Sequence, residues 1–392
     1  MIKKRILILN GSHSDIPLIK AAKKLGFYVV TTGNMLNLIG HQYADATYKA
    51  DFFLKDKILK LAKKLRIDAI CSCANDFGAI TASYVSEKMK LQGHDSYKIS
   101  KIIHEKDKFK RVALKNNLPV PNGKSFSKAE AAIRSIKILK KVIIKPVDMT
   151  GGKGVSVAET WPDIEQGIKN AFAASKCKRI IIEEFIEGSL HSFSTFLKNK
   201  KVIFYYSDNE YLAKDSYSVT TSFGPAKNID DSKNILINFV EKIAHKLDLV
   251  DGIFHCQYIF DGKNPWIIDV TRRCSGDLYP YPINLKHNFF WEDEIIRSSA
   301  GLSAGRLRKL ESPGFFGRHC IMAYQNGKIK SLRISDALKE FVVEEIILIP
   351  RGQFVKNYNI DRIAILILHF KSLKIAELII GNLDNYIKVE FN

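Results

Sequence analysis

The sequence has no apolar run near the roughly 18 residues needed to cross a bilayer, and its opening stretch MIKKRILILNGS breaks off too soon for a secretory signal. Six cysteines in 392 residues are too few for a disulfide framework. Cys71 and Cys73 stand one residue apart, which suits neither a zinc knuckle nor a C-x-x-C redox pair. These absences predict a soluble, cytoplasmic protein with reduced thiols and no membrane partner. Internal repeats and low-complexity tracts are also missing. Acids are in deficit, 41 Asp and Glu against 61 Lys and Arg, for a net charge of +20. The basic residues are scattered, with no helix-turn-helix or zinc finger among them. The excess therefore predicts a lysine-rich surface or capture of small anions, and no nucleic-acid partner.

What is present is an ordinary globular balance, 46% hydrophobic and 26% charged, over a length suited to two or three domains. Residues 5–9 (RILIL) read as a buried strand entering a loop at Asn10-Gly11-Ser12. Helical spacing runs from Asp15 to Leu25, and Phe27 to Thr31 is the next strand. This βαβ pattern repeats through a helix around Ile58–Leu65, a strand Asp68–Cys71 and a helix around Ala79–Met89. Residues 1–105 are therefore expected to form an open α/β domain on a parallel sheet. Beyond residue 106 the texture is α+β. A helix Lys106–Asn116 leads into the stiff connector NLPVP, and Ser127-Lys128-Ala129-Glu130 reads as a capping box for a helix to about Leu139. Strands follow at Val142–Lys145, Val155–Glu159 and Ile180–Phe185, with a helix starting at Trp161.

Four segments could carry chemistry. Gly151, Gly152, Lys153 and Gly154 lie in a loop between strands, where successive N–H groups can cradle a phosphate, although no G-K-[ST] makes it a Walker loop. Lys145 ends the apolar strand VIIKP, either as a snorkelling edge residue or as a point charge for phosphates. A buried strand ends in Glu183, Glu184, Phe185, Ile186, Glu187 and Gly188. Finally, Ile253–Phe260 and Trp266–Arg273 read as a hairpin around DGKNP. Facing Phe260 with Trp266 sets Gln257 opposite Asp269 and His255 opposite Thr271. Asp269, Thr271 and Arg273 then share one face. Ser275, Gly276 and Asp277 follow as a turn whose N–H groups could meet an anion, and Tyr279 to Pro282 as an aromatic wall. The histidines show no ligand spacing.

In this order, Lys108 in EKDK, Lys145, the glycine-rich loop, EEFIEG and the hairpin ending in Asp269–Arg273 resemble the ATP-grasp superfamily of carboxylate–amine ligases, among them phosphoribosylamine–glycine ligase and the synthetase domains of carbamoyl phosphate synthase. The resemblance implies an N-terminal Rossmann-like α/β domain (1–105), an ATP-grasp nucleotide lobe (106–188), a metal and substrate lobe (189–305) and a small C-terminal α+β portion (306–392). It implies ATP, with Mg²⁺ or Mn²⁺, and small-molecule carboxylate and amine substrates joined through an acyl phosphate. Dimers are common in that superfamily, so it also allows a homodimer. By the same resemblance Lys108 and Lys145 contact the phosphates, Gly151–Gly154 close over them, and the segment Glu183–Ile186 holds adenine. Gln257, Asp269 and Thr271 stand where the family has metal ligands. Arg273, followed by Ser275, Gly276 and Asp277, stands where it binds the reacting acyl phosphate. Two departures stand out. The usual Glu, Glu and Asn are here Gln257, Asp269 and Thr271, and the usual ribose-binding acid is Leu190, beside His191. They leave a catalytically degenerate ATP-binding module as the alternative expectation.

Overall fold

The computed structural model describes residues 3–136, 141–214, 217–305 and 311–392. The N-terminal sheet has the order Ala46–Lys49, Tyr28–Gly33, Arg5–Leu9, Ala69–Cys71, with every pair parallel. Ile6, Leu7, Ile8 and Leu9 are all fully buried. Helices on both faces of a parallel sheet explain why that strand reads as an unbroken apolar run. Asn75 caps the helix Asp76–Met89 by accepting from the Phe77 N–H at 2.9 Å, which fixes Asp76 just beyond the strand Ala69–Cys71.

The next unit is an antiparallel sheet ordered Gly123–Phe126, Ile180–Glu184, Val142–Pro146, Ser156–Ala158. The helices Ala129–Ser135 and Trp161–Ala174 cover it through Ala132, Ile164, Ile168 and Ala171. The capping box expected at Ser127 does not form. The chain stays extended through Lys128, so Ser127 comes one residue too early to reach the first turn. A capping box forms instead at Thr160 and Asp163. The end expected near Leu139 lies outside the described residues.

An eight-stranded sheet dominates the rest, in the order Pro265–Thr271, Gly252–Phe260, Ser189–Lys198, Lys201–Leu212, Val219–Gly224, Phe315–Met322, Arg362–Phe370, Val342–Ile347. It takes strands from both sides of residue 305, so the division expected there does not coincide with a break in the sheet. A small sheet of Phe354–Val355, Gly327–Ile334 and Ile387–Phe391 packs beyond it. One face of the large sheet buries Phe193, Leu197 and Tyr258 against the helix Ile229–Lys246. On the other face, Phe196, Phe204 and Tyr206 meet Trp291 and the N-terminal helix Ile16–Lys24. That contact sets the parallel sheet over the polar remainder of the same face. Among the described residues, no helix is long and apolar enough to cross a membrane.

Candidate active site

The hairpin supplies one wall. Beside its loop Phe260 pairs with Pro265 and Tyr258 with Ile267, one place off the pairing of Phe260 with Trp266 read from the sequence. A β-bulge at Ile268 then restores the register, so Gln257 stands opposite Asp269 and His255 opposite Thr271. Residues paired across an antiparallel sheet share a face. Three polar rows therefore cross this face: Thr271, His255, Ser194 and Tyr206; then Asp269, Gln257, Ser192 and Asp208; then Glu210, Ser222 and Arg318.

Hydrogen bonds tie the rows together. Ser194 Oγ lies 2.6 Å from His255 Nδ1, and the Tyr279 hydroxyl bridges Ser194 (3.2 Å) and Ser192 (2.6 Å). Ser192 Oγ donates to Asp208 at 2.5 Å, and Gln257 Nε2 donates to Glu210 at 2.6 Å. Burial raises both carboxyls above the usual range, and Glu210 is pushed further by the charge of Asp208. Burial, then the nearby Arg273 guanidinium, lowers His255 to about 3, so its ring is neutral near pH 7.

The N-terminal domain packs on the end of this wall. Thr271 Oγ1 donates to Asp76 Oδ1 at 2.8 Å, and Arg273 pairs with Asp76 Oδ2 at 2.7 Å. Burial alone would raise the Asp76 carboxyl, but the Arg273 guanidinium holds it well below the ordinary carboxylate range. Arg272 faces the other way and donates to Asp95 at 2.9 Å. Ser14 Oγ accepts from the Asp277 N–H at 2.9 Å, while Asp277 pairs with Arg362 at 2.9 Å. Ser275 Oγ is buried without a partner, beside Gly276.

The sheet built on Val142–Pro146 and Ile180–Glu184 faces this wall. Lys145 pairs with Glu183 at 2.8 Å, and Lys110 takes the other oxygen of the same carboxylate. Lys108 pairs with Glu105 at 2.9 Å. Gly151, Gly152 and Gly154 have φ of 65°, 73° and 72°, the left-handed region that favours glycine. A Cβ at Gly152 would fall 2.7 Å from the Tyr217 backbone, so the loop, with Lys153 exposed at its tip, docks on Tyr217 and Ser218. Glu184 accepts from Asn122 at 2.7 Å, and the Phe185 N–H donates to the Lys141 carbonyl at 3.2 Å. Ile186 follows, half-buried.

The geometry thus gathers Gln257, Asp269, Thr271 and Arg273 on one wall, with Lys145 and the glycine loop in the facing lobe. His191 is not gathered there. Strand alternation turns it to the opposite face, stacked on Tyr258 with ring centroids 5.1 Å apart, and burial lowers it to about 4. Several groups escaped the sequence reading. Lys106 donates to the Met149 carbonyl at 3.0 Å and lies 3.2 Å from Asp269 Oδ1. Asp208 and Glu210 alternate in YYSDNEYL at strand period, a legible signal. Arg318 is a lone charge on an apolar strand, the same signal as Lys145. Asp76 gave none beyond its place after a capping Asn.

A divalent cation would have Asp269, Gln257 and Thr271 as oxygen donors, the hard ligands such ions prefer. The donor set fits. Gln257 commits its amide nitrogen to Glu210, leaving its carbonyl oxygen for a cation, and the Lys106 ammonium already stands beside Asp269.

A glycine-loop lobe facing an antiparallel sheet, behind a parallel-sheet domain, defines a two-sheet clamp. Residues 105–277 match the ATP-grasp domain. It is 21% identical over 267 residues to the carbamoyl phosphate synthase large chain of Clostridium acetobutylicum, covering 65% of this chain and 24% of the relative. The chain thus spans about a quarter of the length of that relative. Its fold matches the L-amino acid ligase of Bacillus licheniformis with a TM-score of 0.81 at 15% identity, covering all of both chains. It matches the phosphoribosylglycinamide synthetase of Anaerococcus prevotii with a TM-score of 0.75 at 20% identity, again over both chains entire.

Proposed function

We propose that this chain is an ATP-dependent ligase that joins a carboxylate to an amine, forming ADP and phosphate through an acyl phosphate. The observation that carries the reading is the buried Lys145 and glycine loop facing a hairpin that presents Gln257, Asp269, Thr271 and Arg273 on one polar wall. Lys145, with Lys108 and the loop N–H groups, would hold the triphosphate as point charges and donors. The segment Glu183–Ile186 would line the adenine. Asp269, Gln257 and Thr271 would hold Mg²⁺, which supplies further neutralisation of phosphate charge when bound. Arg273, kept in place by Asp76, would stabilise charge on the acyl phosphate, and the Ser275–Asp277 turn would meet the carboxylate. Closure of the lobe on the hairpin excludes water, which would otherwise hydrolyse that intermediate.

ADP release by the purified chain with Mg²⁺–ATP, pooled carboxylic acids and pooled amines tests the reading. Release that requires both an acid and an amine is the expected result. Nucleotide binding with no release in any pool would instead support the degenerate module.

A further inference from the structure

The polar face holds two carboxyls that the ATP reading leaves without work. Asp208 and Glu210 are 2% and 7% exposed, on the same face of the strand Lys201–Leu212. Their side-chain partners are neutral, Ser192 for Asp208 and Gln257 for Glu210. A buried carboxyl without a cation is costly, because desolvation is not repaid by a counter-charge.

Two buried neighbours point into the same space without full partners. Arg318 is 5% exposed, and its field reaches both carboxyls. Its NH1 nevertheless donates to Cys320 Sγ at 3.1 Å, and its Nε has no partner. Tyr206, 4% exposed and two residues from Asp208 on the same face, has an unpartnered hydroxyl. Two buried carboxyls share one guanidinium, so the pair must hold a proton or take up a second cation. Gln257 joins Glu210 to the hairpin wall, so the pair sits one hydrogen bond from the residues assigned to the reacting groups.

We propose that Asp208 and Glu210 form the subsite for the amine substrate, holding its ammonium group between them, with Asp208 accepting the proton the nitrogen must lose. The assignment rests on the ligase reading. The ammonium gives one proton to Asp208, and the freed lone pair forms the C–N bond as the C–O bond to phosphate breaks. The second nitrogen proton leaves with the phosphate. The row from Ser192 through Tyr279 and Ser194 to His255 ties Asp208 by hydrogen bonds to the hairpin wall. The amine is thus a primary ammonium compound.

Hydroxylamine, largely uncharged near neutral pH, separates the subsite from the activation step, since it traps an acyl phosphate without an ammonium to bind. With an acid pool that supports ADP release, the wild type should react with hydroxylamine and with pooled primary amines. In Asp208→Asn and Glu210→Gln the amine rate should fall at least about tenfold relative to the hydroxylamine rate, the scale of a lost charge-assisted hydrogen bond. An unchanged ratio in both variants overturns the assignment. In a second arm, methylammonium chloride should raise the wild-type melting temperature above sodium chloride at equal ionic strength, and this difference should vanish in Glu210→Gln. Equal shifts in the wild type overturn the subsite. Loss of Mn²⁺ binding in Glu210→Gln, with the methylammonium response intact, overturns it in favour of a metal ligand. No ADP release by the wild type defeats the ligase reading alone, because the methylammonium arm still decides the subsite.

Discussion

Arg273 and Asp76 come from residues almost 200 positions apart, yet each is the other's main partner. Breaking a buried pair leaves an uncompensated charge, which costs about 3–5 kcal/mol. Asp76→Asn should therefore destabilise the chain by that order in urea unfolding at pH 7. Asp76 has a lowered folded-state pKa, so its stabilisation is present above the unfolded value near 4 and is lost as pH falls. The gap between wild type and variant should narrow in strong acid, and a gap that stays constant from pH 7 to pH 2 would show that Arg273 does not lower the Asp76 carboxyl. At the facing lobe, Lys145→Ala should abolish nucleotide binding by equilibrium dialysis, while Glu183 keeps Lys110 as its partner. Asp269→Asn should keep nucleotide but lose the dependence of turnover on Mg²⁺, measured by metal titration.

At the scale of elements, legibility followed local physics. The buried strand Arg5–Leu9 and the hairpin pairing of Gln257 with Asp269 were readable because a period of two leaves few choices. The turn end of that hairpin was misread, since a single bulge at Ile268 absorbs one residue and no side-chain pattern marks it. The helix Trp161–Ala174 was readable from Pro162 and Asp163, while Ser127 looked like a cap and is not one. Capping depends on where the chain turns, and the preceding strand decides that. The glycine loop was readable as a loop, but its docking on Tyr217 was not, because the contact is distant in sequence. Gly152→Ala adds a Cβ to a left-handed residue against backbone, a strain of roughly 1–2 kcal/mol. It should weaken nucleotide affinity by up to about 30-fold in a fluorescence titration, since each 1.4 kcal/mol is tenfold.

The whole molecule is held by contacts no local pattern announces. Lys176, just after the helix Trp161–Ala174, lies 4.0 Å from the Phe53 ring centroid and 4.1 Å from that of Phe77, both beside the N-terminal sheet. His104 meets the Asp148 carbonyl at 3.1 Å beside them. Cation–π contacts of this kind contribute about 0.5–2 kcal/mol each. Lys176→Ala should accordingly let bound nucleotide escape several-fold faster in stopped-flow displacement, with little change in melting temperature. An unaltered escape rate would show that the lobe is held elsewhere. The sheet that spans residue 305 was equally unreadable, because strand order across a long connection depends on the assembled face rather than on either segment.

That strand order has a consequence for the chain's making. The strand Val219–Gly224, almost wholly buried, finds its outer neighbour only in Phe315–Met322. On the ribosome roughly 90 residues must follow before this edge is covered, which at 5–20 residues per second takes about 5–20 s. During that interval the emerging protein displays an unpaired strand edge, a template for wrong association. The arrival of Phe315–Met322 therefore brings Arg318 to the polar face and covers that edge in the same step, while passing the open edge outward until Arg362–Phe370 follows.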